Sequence, residues 1–278
     1  MNIKKLLSLG LISVLSVGIL AGCSSKDAGK EAPKTTETKK IVVGATPVPH
    51  AEFLNGFAKA KLKEKGIDLE VKEFTDYVIP NKAVAEKQLD ANYFQHIPYL
   101  DDYNKENKTT LVPIGKIHAE PLAAYSNKIK NISELKSGAI IAIPNDNSNG
   151  TRALKLLQKQ GLIELKDANA AIQTEKDIVK NPKNIKVKTV EAAQLPRVLG
   201  DVDVAIINGN YALESKLDTK STLFAEDVSA IEKNVNVVVS REDNKDNPAL
   251  KELVNVLKSE DAKKWLKEKY GSAVIPAN

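Results

Sequence analysis

Ala139-Ile140-Ile141-Ala142-Ile143-Pro144-Asn145-Asp146-Asn147-Ser148-Asn149-Gly150-Thr151-Arg152 runs from an apolar strand through a polar turn into a helix. Five apolar residues without polar alternation belong to a strand covered on both faces, as in a parallel sheet. Pro144 ends the strand, and the Asn/Asp/Ser-rich segment supplies turn and cap chemistry. The spacing predicts a helix over Thr151–Gln160, stopped by Gly161. A helix N-terminus there offers free N–H groups to an anion. Arg152, read in the first turn of that helix, opposes the dipole and calls for an anionic partner. Its forked guanidinium suits a carboxylate; a solvent-facing Arg beside a polar cap is the alternative. The segment is no P-loop, since it lacks the Gly-rich spacing and the Lys-Ser/Thr pair.

The same pattern recurs on either side. Ile41–Ala45, Leu69–Val71, Leu111–Ile114, Leu122–Tyr125, Ile185–Val190, Val202–Ile207 and Val235–Val239 read as strands. Helical spacing runs over Ala51–Lys65, Lys82–Leu89, Glu191–Leu195, Pro248–Leu257 and Asp261–Lys269, with a short turn at Ser133–Leu135. Strands alternating with helices predict an α/β fold with helices on both sheet faces.

The chain has 278 residues, 41 basic and 36 acidic, so its net charge is +5. An excess this small, interleaved with acids, gives no basis for nucleic-acid binding. A single Cys excludes an intrachain disulfide, a CxxC redox pair and a Cys-rich zinc site. Residues 1–22 read as a lipoprotein signal peptide: Lys4 and Lys5, an apolar stretch from Leu6 to Leu20, then Ala21-Gly22 before Cys23. Cys23 is then diacylated, and two acyl chains anchor it stably to a membrane on the extracytoplasmic face. Residues 23–40 carry no large apolar side chain after that Cys and read as a flexible tether.

Three features are candidate binding elements. Tyr93, Phe94, Tyr99 and Tyr103 cluster within 11 residues, and Tyr77 lies in another turn-like segment. Aromatics in loops can wall an apolar pocket or form a local core. The second feature is the Asn149–Arg152 region described above. In the third, Asn208 lies just past the carboxyl end of a buried strand, where ligands of open α/β sheets sit, followed by Asn210. Asn236 interrupts an apolar strand, and a buried amide needs partners, which core backbone also supplies. His50, His96 and His118 with Glu120 make a conceivable metal set, but no spacing supports it. No G-x-S-x-G elbow supports a serine nucleophile.

The chain resembles the NlpA family of lipoproteins, methionine-binding receptors of bacterial ABC importers, from Ile41 to the C-terminus. The likeness rests on Ala45-Thr46-Pro47-Val48-Pro49-His50, Phe74-Thr75-Asp76-Tyr77, Asp90-Ala91-Asn92-Tyr93-Phe94-Gln95-His96 and Pro98-Tyr99-Leu100. It continues through Ala142-Ile143-Pro144-Asn145-Asp146, Arg152-Ala153-Leu154, Asn181-Pro182-Lys183-Asn184, Gln194-Leu195-Pro196-Arg197 and Ala205-Ile206-Ile207-Asn208. It implies a two-lobed type II periplasmic-binding-protein fold with the ligand cleft between lobes. Lobe one is residues 41–121 plus 235–278, and lobe two is residues 122–234. By the same likeness, Tyr77, Phe94, His96 and Tyr99 wall the methionine side chain, and Asn149 and Arg152 bind its carboxylate. Asn208 and Asn236 hold the amino and carboxylate ends, with Asn210 a weaker nomination. Many relatives have Gly before the Arg where this chain has Thr151, which bears on selectivity.

The resemblance implies a receptor for L-methionine or a close analogue, with an ABC permease, its cytoplasmic ATPase and the lipid bilayer as partners. No cofactor, metal or catalytic residue is implied. D-methionine or a methionine-containing dipeptide is the alternative ligand. A hydrolase on the same scaffold, with His96 as its base, is the alternative of another class.

Overall fold

The computed structural model describes residues 39–277. The lipoprotein leader, Cys23 and nearly all of the tether lie outside the described residues.

Strands β1 (Lys39–Ala45) and β2 (Ile67–Glu73) pair in parallel, joined by helical turns ending in α1 (Lys59–Glu64). Gly66, at φ 72°, closes that crossover in a conformation that favours glycine. The chain continues through α2 (Ile79–Ala85), β3 (Ala91–His96), α3 (Ile97–Asn107) and β4 (Leu111–Ala119). It then builds β5 (Ala123–Tyr125), β6 (Ile140–Pro144) and α4 (Asn147–Lys159). A hairpin of β7 (Glu164–Leu165) and β8 (Ile178–Lys180) precedes β9 (Lys186–Val190) and β10 (Val204–Ile207). After α5 (Gly209–Glu214), β11 (Phe224–Ala225) and α6 (Val228–Lys233), the chain returns through β12 (Asn236–Arg241), α7 (Pro248–Leu257), α8 (Glu260–Tyr270) and β13 (Ile275–Pro276).

Two mixed sheets result. One has the order β13-β4-β12-β3-β1-β2 and the other β11-β5-β10-β6-β9. Each centres an α/β lobe with a core on both faces. β6 shows why: Ile141 and Ile143 enter the core beneath α4, and Ala142 enters the opposite one with Leu195 and Tyr211. In the first lobe, Trp265 of α8 stacks on Phe53 with ring centroids 5.2 Å apart.

Three sequence readings are corrected. Helix α4 starts at Asn147, not Thr151, because Asp146 is its N-cap and accepts from the Asn149 N–H. Arg152 therefore lies in the second turn, and its conflict with the dipole lapses. The segment around Tyr93 and Phe94 is no loop: β3 is buried throughout and α3 follows directly. The helix read at Lys82–Leu89 instead starts at Ile79 and ends at Ala85. Among the described residues, no helix is long and apolar enough to cross a membrane.

Candidate functional site

Asp146 does more than cap α4. Its carboxylate also accepts from Asn149 Nδ2 at 3.0 and 3.1 Å. That pins the Asn149 amide with its oxygen turned inward. Asn149 Oδ1 then receives three donors: His96 Nε2 at 3.1 Å, Arg152 Nη1 at 3.0 Å and Asn208 Nδ2 at 2.9 Å. His96 caps α3, accepting the Tyr99 N–H on Nδ1 at 3.2 Å. One ring nitrogen accepts and the other donates, so His96 is a neutral imidazole. Burial, and then the Arg152 charge, lower its pKa to about 3.

His96, Tyr99, Asn149, Arg152 and Asn208 line a small cavity between the lobes, of about 20 Å³. Its apolar wall is Tyr77, Phe94 and Tyr99, and Tyr211 of the other lobe packs on Tyr77 from behind. Tyr77 lies 5.7 Å from Phe94, 5.7 Å from Tyr99 and 4.9 Å from Tyr211, centroid to centroid. Its polar wall holds Glu120, Asn149, Arg152, Asn208, Asn210 and Asn236. All eight nominated residues therefore line one cavity, as does Asn210.

Two polar atoms on that wall lack partners. Asn208 Oδ1 and Asn210 Nδ2 are buried without a hydrogen bond. One is an acceptor and the other a donor, and each costs stability until a ligand satisfies it. Asn210 Oδ1 accepts from Tyr77 OH at 2.6 Å, which ties the lobes across the cavity. Gly209 begins α5 because no side chain fits there: a Cβ would meet Glu120 Cβ at 2.6 Å.

Arg152 has the anionic partner its burial requires, and that partner belongs to this chain. Its Nε and Nη2 donate to the two Glu226 oxygens at 2.9 and 2.6 Å. Burial opposes the guanidinium charge, but Glu226 outweighs it and raises the pKa. Glu226 thus occupies the Nε/Nη2 side of the fork, while Nη1 donates to Asn149. Sequence reasoning missed Glu226 and marked Glu120 only as a conceivable metal ligand, not as part of the cavity wall. Glu226 lies 74 residues from Arg152, and nothing near it marks the pairing.

The histidines also depart from expectation. No spacing supported a set of His50, His96, His118 and Glu120. His50, His118 and Glu120 nevertheless converge, with their ligand atoms within 4.8 Å of one another. His96 is bonded elsewhere, to Asn149. Thr151 accepts the Gln173 N–H at 2.8 Å and is not part of the cavity wall.

Residues 41–278 match the family model described as NlpA lipoprotein. The chain is 45% identical over 254 residues to a probable D-methionine-binding lipoprotein MetQ of Pasteurella multocida, covering 91% of each. It is 38% identical over 278 residues to the methionine-binding lipoprotein MetQ of Bacillus subtilis, covering 99% of each. A nutrient binding protein from Burkholderia cenocepacia, solved bound to methionine, superposes with a TM-score of 0.82 at 40% identity. That match covers 86% of this chain and 100% of the other.

Proposed function

The chain belongs to the NlpA lipoprotein family, and from that premise we propose a receptor that binds methionine between its lobes and delivers it to an ABC importer. The observation that carries this reading is the orphaned pair on the cavity wall, Asn208 Oδ1 and Asn210 Nδ2. A zwitterionic amino acid supplies what both lack: ammonium donors for the acceptor and carboxylate oxygens for the donor. Arg152 Nη1 and the Asn236 amide share the carboxylate, with Asn149 holding Arg152 in place. Glu120, buried on the same wall, faces the ammonium.

The side chain of the ligand lies against Tyr77, Phe94 and Tyr99, beside the buried His96. A thioether against aromatic rings gains roughly 0.3–1.5 kcal/mol per contact. Ligand contacts divided between lobes favour the closed state. The lobes are assigned as residues 41–121 plus 235–278 and residues 122–234. The receptor performs no catalysis: His96, the base a hydrolase needs, is engaged at both ring nitrogens. Cys23, outside the described residues, carries the lipid anchor and holds the receptor on the extracytoplasmic face. A permease with a cytoplasmic ATPase takes the ligand onward.

Calorimetric titration of protein stripped by unfolding and refolding tests this reading. L-methionine, D-methionine and Gly-Met are the titrants. One-to-one binding of either methionine enantiomer supports it. A tighter response to Gly-Met keeps the receptor and changes its ligand. Silence toward all three overturns the reading.

A further inference from the structure

We propose that His50, His118 and Glu120 form a binding site for one divalent transition-metal ion, best suited to zinc, behind the ligand cavity. His118 Nε2 lies 2.6 Å and His50 Nε2 3.5 Å from the same oxygen, Glu120 Oε1. The three side chains are only 0%, 1% and 6% exposed, respectively for His118, His50 and Glu120. His50 comes from the turn after β1, whereas His118 and Glu120 come from the end of β4. The packed lobe itself therefore assembles the cluster.

Each imidazole is oriented from behind. Thr46 Oγ1 lies 2.8 Å from His50 Nδ1, and the Tyr93 hydroxyl bonds His118 Nδ1. A fixed partner on the outer nitrogen turns Nε2 inward, as around metal-bound histidines. Two imidazoles and a carboxylate are a recurrent three-ligand zinc set with one position left open. The imidazoles disfavour magnesium and calcium, which take oxygen ligands.

Ligand atoms bound at about 2.0–2.2 Å around a tetrahedral ion sit roughly 3.3 Å apart. The His50–Glu120 separation of 3.5 Å already has that size. The His118–Glu120 contact of 2.6 Å has to open by about 0.7 Å. Asn236 borders the cluster, with its Oδ1 3.4 Å from His50 Nε2. Glu120 and Asn236 also line the ligand cavity. The metal thus fixes one face of the residues that the other face presents to ligand.

The test uses the full chain, stripped with chelator and then dialysed with zinc alone. Elemental analysis should find one tightly held zinc per chain, and cobalt should give the intense visible absorption of a tetrahedral site. His118→Gln and Glu120→Gln should lose the bound equivalent, while His96→Gln keeps it. Tyr93→Phe retains every ligand and should weaken zinc by about 10–100-fold. It decides the matter should His118→Gln fail to fold. Two results overturn the proposal: no zinc retained by the wild-type chain, or zinc affinity unchanged in both His118→Gln and Tyr93→Phe. The cluster is then a hydrogen-bond network in which His118 donates to Glu120 and His50 to Asn236. Methionine titration of the zinc-free chain reports on the ligand site separately, so the two readings fail independently.

Discussion

Arg152 and Glu226 form a buried ion pair beside the cavity that is costly to break. Their side chains are 10% and 4% exposed, and Glu226 also accepts the Leu122 N–H at 2.9 Å. Truncation of Arg152 leaves that carboxylate buried and uncompensated. Arg152→Ala should therefore lose methionine binding and also about 3–5 kcal/mol of stability. Arg152→Met with Glu226→Gln should recover most of the stability, since Gln still accepts from Leu122, but no affinity. Urea unfolding and calorimetry on both variants separate the two effects. His96 makes a second residue-scale prediction. Its pKa is lowered to about 3 in the folded chain, against about 6.5 unfolded. The unfolded chain thus takes up the proton first as pH falls. The stability that neutral His96 contributes is intact above about pH 6.5 and is lost on acidification, at up to about 1.4 kcal/mol per pH unit. Between pH 6.5 and 5.0 the wild-type chain should lose about 2 kcal/mol more than His96→Gln. Equal losses in the two proteins would falsify this.

Helix α4 turns a cap into a binding geometry. Asp146→Ala removes the acceptor for the Asn149 N–H and both contacts to its amide. It should cost about 1 kcal/mol of stability and weaken methionine binding as Asn149 loses its orientation. Unchanged affinity in a titration would show that His96, Arg152 and Asn208 hold that amide unaided. This helix also shows what the sequence concealed. Asn147, Ser148, Asn149 and Gly150 are poor helix formers, yet they form its first turn because Asp146 caps it. β3 was hidden for a related reason. Asn92, Gln95 and His96 look like loop residues, but all are buried. Asn92 and Gln95 are satisfied by a closed set of amide bonds with Asn81. Hydropathy detects apolar runs such as Ile140–Ile143 and Val204–Ile207, and these were legible. It does not detect polar groups that satisfy one another. The family resemblance brings out the cavity's aromatic and amide residues and the residue types mark Glu120 only as a conceivable metal ligand, whereas Glu226 stands in a segment with no local signature.

At the scale of the whole molecule, hydrogen bonds cross the cavity between the lobes. Tyr77 reaches Asn210, and the Tyr211 hydroxyl donates to the Thr75 carbonyl at 3.3 Å. Ligand adds to these contacts and should raise thermal stability, by about 2.7 kcal/mol at a concentration 100 times Kd. Trp265 is stacked on Phe53 in the first-lobe core and is not part of the cavity wall. Methionine should therefore raise the melting temperature while leaving tryptophan emission unchanged before melting. A large emission change on binding would mean that the first lobe repacks internally. The position of β12 carries a different consequence. This strand pairs with β3 on one side and β4 on the other, at the middle of a sheet whose other long strands precede residue 120. A chain emerging from its N-terminus cannot zip that sheet until residue 236 has appeared. The whole second lobe has then already left the ribosome. A late central strand keeps the early part of the chain threadable for most of its passage, and then locks it in one step.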